Sequence, residues 1–248
     1  MTLRELLAEL RGPILRDQSS AVDATASEGA LFSDTALINY INEAQNLFCR
    51  KTNILRDSRT AGITQITMVA GQQDYPISPK ICTILRARFD GRVDLGRVNS
   101  DALEGGHPNI SPDPSRVVMS GEGEPSAYYT DSDTNFLGVS PIPSVKEAGK
   151  VLSLRVSRLA LLALVRADLE NSPEIPEDYH LSLLDWAAYR ALSNQDTDFN
   201  GDPANISIVL SRNNGFKNRF EAAITQAKTD VKKLSTQNVR WKSGMNWS

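Results

Sequence analysis

From Ile206 to Leu234 the chain keeps one apolar stripe. Ile206, Val209, Leu210, Phe216, Phe220, Ala223, Ile224, Ala227, Val231 and Leu234 recur at helical spacing, with Asn213 as a polar interruption. Asp202-Pro203 supplies the start, because proline suits a first helical position. At about 1.5 Å per residue the element is a rod on the order of 45 Å long. Such a length exceeds what a compact core needs. A helix of this kind spans an assembly or packs against neighbouring copies, and the rest of the chain must be arranged around it.

The N-terminal part is helical too. Over residues 2–15, Thr2 and Glu5 have capping-box spacing, Leu3, Leu6, Leu7 and Leu10 fall on one face, and Gly12-Pro13 ends or bends the helix. "DQSSAVDATASEG" (Asp17 to Gly29) is small, polar and loop-like. A second helix follows, capped by Ser33 or Asp34, with Leu37, Ile41, Ala44 and Phe48 at helical spacing and Tyr40 and Leu47 widening the stripe.

Then the period changes. "ITQITMVAGQQDYPI" and "ICTILRARFDGRVDL" are rich in branched residues, with a turn at Gly71 and a hairpin signal at Asp90-Gly91. Residues 96–125 hold much of the glycine and proline and read as an exposed loop with one short helical turn near Asp101 to Leu103. "SAYYT" and "NFLGV" read as strands around the turn "DSDT", and "VLSLRVS" alternates, with Leu152, Leu154 and Val156 on one face. Helix returns after that strand. In "PEIPEDYHLSLLDWAAYRAL", Pro176 suits a first helical position and Leu181, Leu184, Ala188 and Leu192 line one side.

Composition excludes several classes. The 248 residues are 40% hydrophobic, yet the most apolar run, "LALLALV", stops between Arg158 and Arg166, far short of a membrane span. "MTLRELLAEL" has no cleavable apolar core, so export by a signal peptide is not expected. Cys49 and Cys82, the two cysteines, lack metal-like spacing and read as idle thiols in a reducing compartment. A net charge of −3 argues against a general nucleic-acid binder. The end of the chain differs from the body: Lys228, Lys232, Lys233, Arg240 and Lys242 stand against Asp230.

No phosphate-binding loop, zinc-protease helix, nucleophile elbow or paired Cys-x-x-Cys occurs. "GEGEPS" (Gly121 to Ser126) precedes a strand instead of a helix and reads as a turn. His107 lies in the loop and His180 at a helix start, where each reads as solvated or capping. A carboxylate pair for glycoside cleavage is set by space, not spacing, so it stays a fold-level possibility. "DTDFNGD" (Asp196 to Asp202) opens like a calcium loop, but its ninth and twelfth places hold Ala204 and Ser207, where an EF-hand needs a bidentate Glu last. "DSDTN" at Asp131 fails as well, with Phe136 in the glycine place. Both read as turns, leaving only weak ion binding at Asp196, Asp198 and Asn200. No cofactor and no metal site is expected.

Four motifs in order, "LINYINEAQ", "GQQDYPIS", "PSAYYTDSDTNFLGVSPIP" and "IPEDYHLSLLDWAAYRALSNQDTD", resemble the head-to-tail adaptor (connector) proteins of tailed bacteriophages. With the long helix, the resemblance runs from Ser33 to Leu234; the stretch from Gly96 to Gly123 takes no part in it. The resemblance implies a non-enzymatic structural protein of the virion neck, made in the host cytoplasm. It implies a ring, usually a dodecamer, docked beneath the portal, joining capsid to tail and continuing the channel through which double-stranded DNA passes without specific binding. The partners implied are the portal protein, tail or nozzle proteins and neighbouring copies, with no membrane.

The implied fold class is α+β, mainly α: a helical bundle with a long C-terminal helix, an inserted β-rich subdomain and an extended C-terminal tail. The corresponding segments are 1–60 and 159–234 for the bundle, 61–158 for the insert and 235–248 for the tail. In "STQNVRWKSGMNWS", Val239, Arg240, Trp241, Lys242, Met245 and Trp247 lie past the last helical residue, where no core remains, and are expected at the portal interface. Tyr40, Tyr179, Trp186, Phe216 and Phe220 are expected between neighbouring subunits of the bundle, although such stripes are also ordinary core. Alternatives from other classes are a virion-associated peptidoglycan hydrolase, a calcium-responsive module, and another neck ring such as a stopper or tail completion protein.

Overall fold

The computed structural model describes residues 1–16, 32–100, 121–195 and 203–237. The chain divides into two units, Met1–Leu55 with Leu159–Ser248, and Arg56–Arg158. The segments 17–31, 101–120, 196–202 and 238–248 lie outside the described residues, and with them the polar loop at Asp17 to Gly29, the helical turn at Asp101, His107, the Asp196 motif and the whole C-terminal tail.

The first unit begins with α1 (Leu3–Glu9), closed by the expected capping box: the Glu5 N–H donates to Thr2 Oγ1 at 3.3 Å and the Thr2 N–H to Glu5 Oε2 at 2.9 Å. Gly12-Pro13 does not end this helix. It widens into a π-helical segment, Leu10–Leu15, with Pro13 inside it, and stops at Arg16 in the left-handed region, φ 54°. A wider turn suits a residue that lacks an amide proton to give back. α2 (Asp34–Thr52) starts at Ser33, whose Oγ accepts the Ala36 N–H at 3.2 Å, and ends at Asn53, φ 54°.

Residues Leu159 to Pro176, expected to return to helix, form turns and irregular chain. Pro176 precedes a single 3-10 turn, Glu177–Tyr179, and α4 begins only at His180, running to Gln195. Its buried face also differs from the expected one. Leu183, Leu184, Ala187, Ala188 and Ala191 are buried, whereas Leu181 is 58% exposed. Alanines let α4 approach α2 and α5 closely, and a stripe read from leucines passes over them. α5 (Pro203–Gln237) starts at the expected proline and continues past Leu234. Phe216, Phe220, Ile224 and Ala227 join Leu3, Leu6, Leu37, Ile41 and Phe48 in one core. Beyond Ala227 the helix loses cover: Val231 is half-buried and Leu234 is 63% exposed.

Arg11 is the unexpected member of this core, 1% exposed. Its guanidinium donates to the Phe32 carbonyl at 2.8 Å and to Asp34 Oδ1 at 2.5 Å, and Arg166 reaches the other Asp34 oxygen at 3.5 Å. A charge this deep is tolerable only when paired and hydrogen-bonded.

The second unit is built on a five-stranded antiparallel sheet: β1 (Arg56–Asp57), β11 (Val151–Arg158), β4 (Ile81–Phe89) and β5 (Val93–Asp94) in order, with β2 (Gln65–Thr67) also on β11. The β4–β5 hairpin turns at Asp90 and Gly91, φ 48° and 67°, as a primed turn requires. A four-stranded sheet orders β3 (Asp74–Pro76), β9 (Phe136–Ser140), β8 (Ala127–Tyr129) and β6 (Gly96–Arg97). A short parallel pair joins β7 (Glu122–Gly123) to β10 (Ile142–Pro143). Hence both described ends of the expected 96–125 loop are paired strand. Phe89, Leu137, Val139, Leu152, Leu154 and Val156 make a core of their own. One helical turn, α3 (Ala61–Thr64), lies between β1 and β2.

The expected class, mainly α around a helical bundle, is therefore corrected. Five helices stand beside three sheets among the described residues, giving a mixed α/β chain and not a clear bundle. Two of the five helices are short, α1 at seven residues and α3 at four. The strand-bearing unit has a separate hydrophobic core, which an appendage to a bundle would lack.

Asp57 fastens the second unit at its two chain ends. Its Oδ1 accepts the Arg59 N–H at 2.9 Å and the Thr60 N–H at 3.1 Å; its Oδ2 accepts the Thr60 hydroxyl at 2.7 Å and Arg158 Nε at 2.8 Å. Burial alone would push this carboxyl up, but those donors, led by the Arg59 N–H, hold it well below the usual carboxylate range. A second close fit is Gly138 on β9, opposite Tyr129. A Cβ there would lie 2.0 Å from the tyrosine ring.

Asp57→Asn should cost about 3 kcal/mol in urea unfolding at pH 7, because it leaves Arg158 buried and unpaired. A depressed carboxyl stabilises fully above its unfolded value of about 4 and loses that contribution as pH falls toward its folded value. The gap between wild type and Asp57→Asn should accordingly narrow below pH of about 4. Gly138→Ala should cost about 2 kcal/mol through overpacking, read in the same melts and in the near-ultraviolet dichroism of Tyr129.

Candidate functional site

The aromatic side chains of the first unit form one cluster. Phe48 lies 5.1 Å from Tyr179 and 6.0 Å from Phe220, and Trp186 lies 5.1 Å from Phe220 and 5.3 Å from Tyr189, ring centroid to ring centroid. Phe220 is fully buried and Phe216 is 5% exposed. Both are enclosed by the chain's own helices, so neither offers surface to a neighbouring copy; their expected place between subunits is corrected to internal core. Tyr40, Tyr179 and Trp186 are half-buried at its margin. Arg190 lies over the Tyr40 ring at 5.9 Å and pairs with Glu43 at 3.2 Å. Arg219 covers Phe216 at 4.6 Å and holds Asp185 at 2.7 Å. Burial pushes the Asp185 carboxyl up, and Arg219 opposes that.

Tyr179 ties the last third of α5 to the turn before α4. Its hydroxyl donates to Asp230 Oδ2 at 2.8 Å, and burial, then the Asp230 carboxylate, push the phenol up to about 12. The same bond is the largest cause holding Asp230 down. Trp186 Nε1 is buried and has no hydrogen-bond acceptor among the described residues. The tryptophan thus contributes ring area without a satisfied polar end.

The second unit carries a cleft of about 600 Å³. Ile77, Ile81, Ile84 and Phe136 supply its apolar wall, and Arg97 and the turn Thr130 to Asn135 its polar one. The turn is occupied with its own geometry. The Asp131 carboxylate accepts the Ser100 N–H at 3.0 and 3.1 Å, and Asp133 Oδ1 accepts the Thr134 N–H at 2.6 Å. Asn135 adopts φ 63° and its carbonyl accepts the Ile77 N–H at 2.8 Å. "DSDTN" is a turn, as its spacing implied.

Among the described residues no three His, Cys, Asp or Glu side chains gather as metal ligands, and no helix is long and apolar enough to cross a membrane. His180 is buried, with Nε2 2.9 Å from the Ile175 carbonyl oxygen and Nδ1 3.2 Å from the Met1 amino nitrogen. Cys49 is buried and Cys82 half-buried, both as thiols. Val239, Arg240, Trp241, Lys242, Met245 and Trp247 lie outside the described residues, as do Asp196, Asp198 and Asn200. Sequence reading missed the Asp185–Arg219 and Tyr179–Asp230 pairs, since nothing in their local spacing announces contacts between separate elements.

Tyr179→Phe should destabilise the chain by about 1 kcal/mol, leaving Asp230 without its hydroxyl donor. Hydrogen exchange should quicken in α5 beyond Ala227 and stay unchanged in the strand-bearing unit.

The geometry is that of surfaces, clusters and a cleft, with no assembled catalytic constellation among the described residues. No curated protein matches the chain. The family model described as SU10 adaptor protein matches residues 1–242. With that match spanning nearly its whole length, the chain belongs to the SU10 adaptor family of phage head-to-tail adaptors, and its role is a structural one.

Proposed function

We propose that the protein forms a ring, a dodecamer, beneath the portal, where it joins capsid to tail in the virion neck and continues the DNA channel without catalysing a reaction. The observation that carries this reading is the family match over 1–242, which takes in Val239, Arg240, Trp241 and Lys242 as well as both units. A second support is α5 itself. Its 35 residues outrun the core that covers Phe216 to Ala227, and Leu234 is left 63% exposed where a neighbouring surface would cover it.

In this reading the portal takes the C-terminal segment, with Trp241 and Trp247 as anchors, Arg240 and Lys242 as charged partners, and Val239 and Met245 filling between them. Tyr40, Tyr179 and Trp186, at the margin of the aromatic cluster, meet the next copy. The partners are the portal, the tail or nozzle proteins and other copies of the chain. A protein with net charge −3 gives passing DNA little to hold, since each phosphate contact would add salt-dependent grip.

Purified protein mixed with portal rings from its own particle should form a stoichiometric complex, measured by mass, and a chain truncated after Leu234 should not. Binding that survives truncation keeps the function and removes the tail's role. If neither form binds, the adaptor reading fails, and peptidoglycan clearing by the purified protein becomes the measurement to make.

A further inference from the structure

The solvent face of the five-stranded sheet concentrates arginine. Directly opposed residues of an antiparallel pair point the same way, so register assigns the face. Arg155 stands opposite Arg86, and Ser153 opposite Arg88. Asp94 stands opposite Arg88 and is the carboxylate of this face. It is already taken: Arg86 Nε lies 2.8 Å from Asp94 Oδ1, Arg86 also bonds Oδ2, and Arg88 Nε lies 3.2 Å from Oδ1. Arg155 is exposed, and its guanidinium has no hydrogen-bond or ion-pair partner among the described residues. The register shift between Arg155 and Val156 inserts Leu85 into β4 at this point, 42% exposed and adjacent to Arg86.

The fold does not call for this arrangement. Like charges directly opposite each other destabilise a sheet, and a β-branched residue would suit position 155 better. A side chain that costs stability and meets nothing within its own chain is best explained by something outside it.

The chemistry of the surroundings selects what that is. Nucleic acid reads a positive field spread over many phosphates. Here Asp94 sits within the face, Glu122, Glu124, Asp131 and Asp133 are exposed elsewhere in the same unit, and the chain's net charge is −3. A discrete carboxylate beside an apolar contact fits better. Arginine is enriched at protein interfaces, and an exposed leucine next to it supplies apolar area.

We propose that Arg155, with Arg86 and Leu85 beside it, anchors a protein partner that presents a carboxylate. The choice of partner rests on the adaptor reading: it is the tail-side component of the neck. The test compares wild type, Arg155→Thr, Arg155→Lys and Arg155→Glu in two ways. In thermal melts of the protein alone, Arg155→Thr should melt at or above wild type; a lower melting temperature would make the arginine structural and overturn the proposal. In binding to tail assemblies released from the same particle, Arg155→Glu should lose about tenfold or more, Arg155→Lys less, and the wild-type affinity should fall with added salt.

Portal rings and a short DNA duplex serve as separate probes. Portal binding should be equal for all variants. Wild type that binds portal but not tail assemblies, or variants that bind tail assemblies equally, would sink this proposal and leave the adaptor reading standing. Wild type that binds neither would remove both. Tighter binding to the duplex than to tail assemblies, abolished in Arg155→Glu, would replace the protein partner by DNA.

Discussion

The second unit depends on one carboxylate. Asp57 is 9% exposed, and every direction in which it can accept is filled: two backbone amides, one hydroxyl and the guanidinium of Arg158. Removing the charge from water is costly, and only this full complement of donors offsets it. The bond's position matters more than its strength. Asp57 is the second residue of the unit and Arg158 its last, so the contact fixes where the strand-bearing chain enters and where it leaves. Closing a loop costs only logarithmically more as it lengthens, which lets one well-made clamp hold so long a stretch. β1 extends the clamp by pairing with β11 at Arg56–Ser157 and Asp57–Val156.

Arg11 plays a comparable part in the first unit, where it binds Asp34 and the Phe32 carbonyl from within the core. In both units, then, a charged group is buried with its partners, and hydrophobic packing is built around it. Neither pair shows in the sequence. Arg11 lies between Leu10 and Gly12 and Asp57 between Arg56 and Ser58, at positions that local pattern reads as surface. Pairings across such distances in the chain have no spacing rule.

Elements set by local chemistry were legible. Thr2 with Glu5, Ser33, Asp90-Gly91 and Asp202-Pro203 each satisfy a backbone need within a few residues, and each stands where spacing put it. Errors arose where tertiary contacts overrode local preference. Pro13 was absorbed by a π-helical turn, the leucine-rich stretch after Arg158 stayed irregular, and α4 buried its alanines while exposing Leu181. The fold class failed for a related reason. Strands of two or three residues, such as β6, β7 and β10, are too short to carry a period, yet they complete sheets around a separate core. At the candidate surfaces, sequence named the aromatics of the cluster but not which were enclosed, because helical spacing assigns a face without saying what covers it.

The entry and exit of the strand-bearing unit are joined side by side through Asp57 and Arg158. Such a segment can be exchanged as a cassette. A different sheet domain with equally close ends could replace Arg56–Arg158 without asking the helices to move, and the helices could vary without disturbing the sheets. Among relatives that share the helical unit, surface chemistry like that around Arg155 is thus free to diverge with whatever it meets. Recombination at two neighbouring points in space would suffice to re-address the protein.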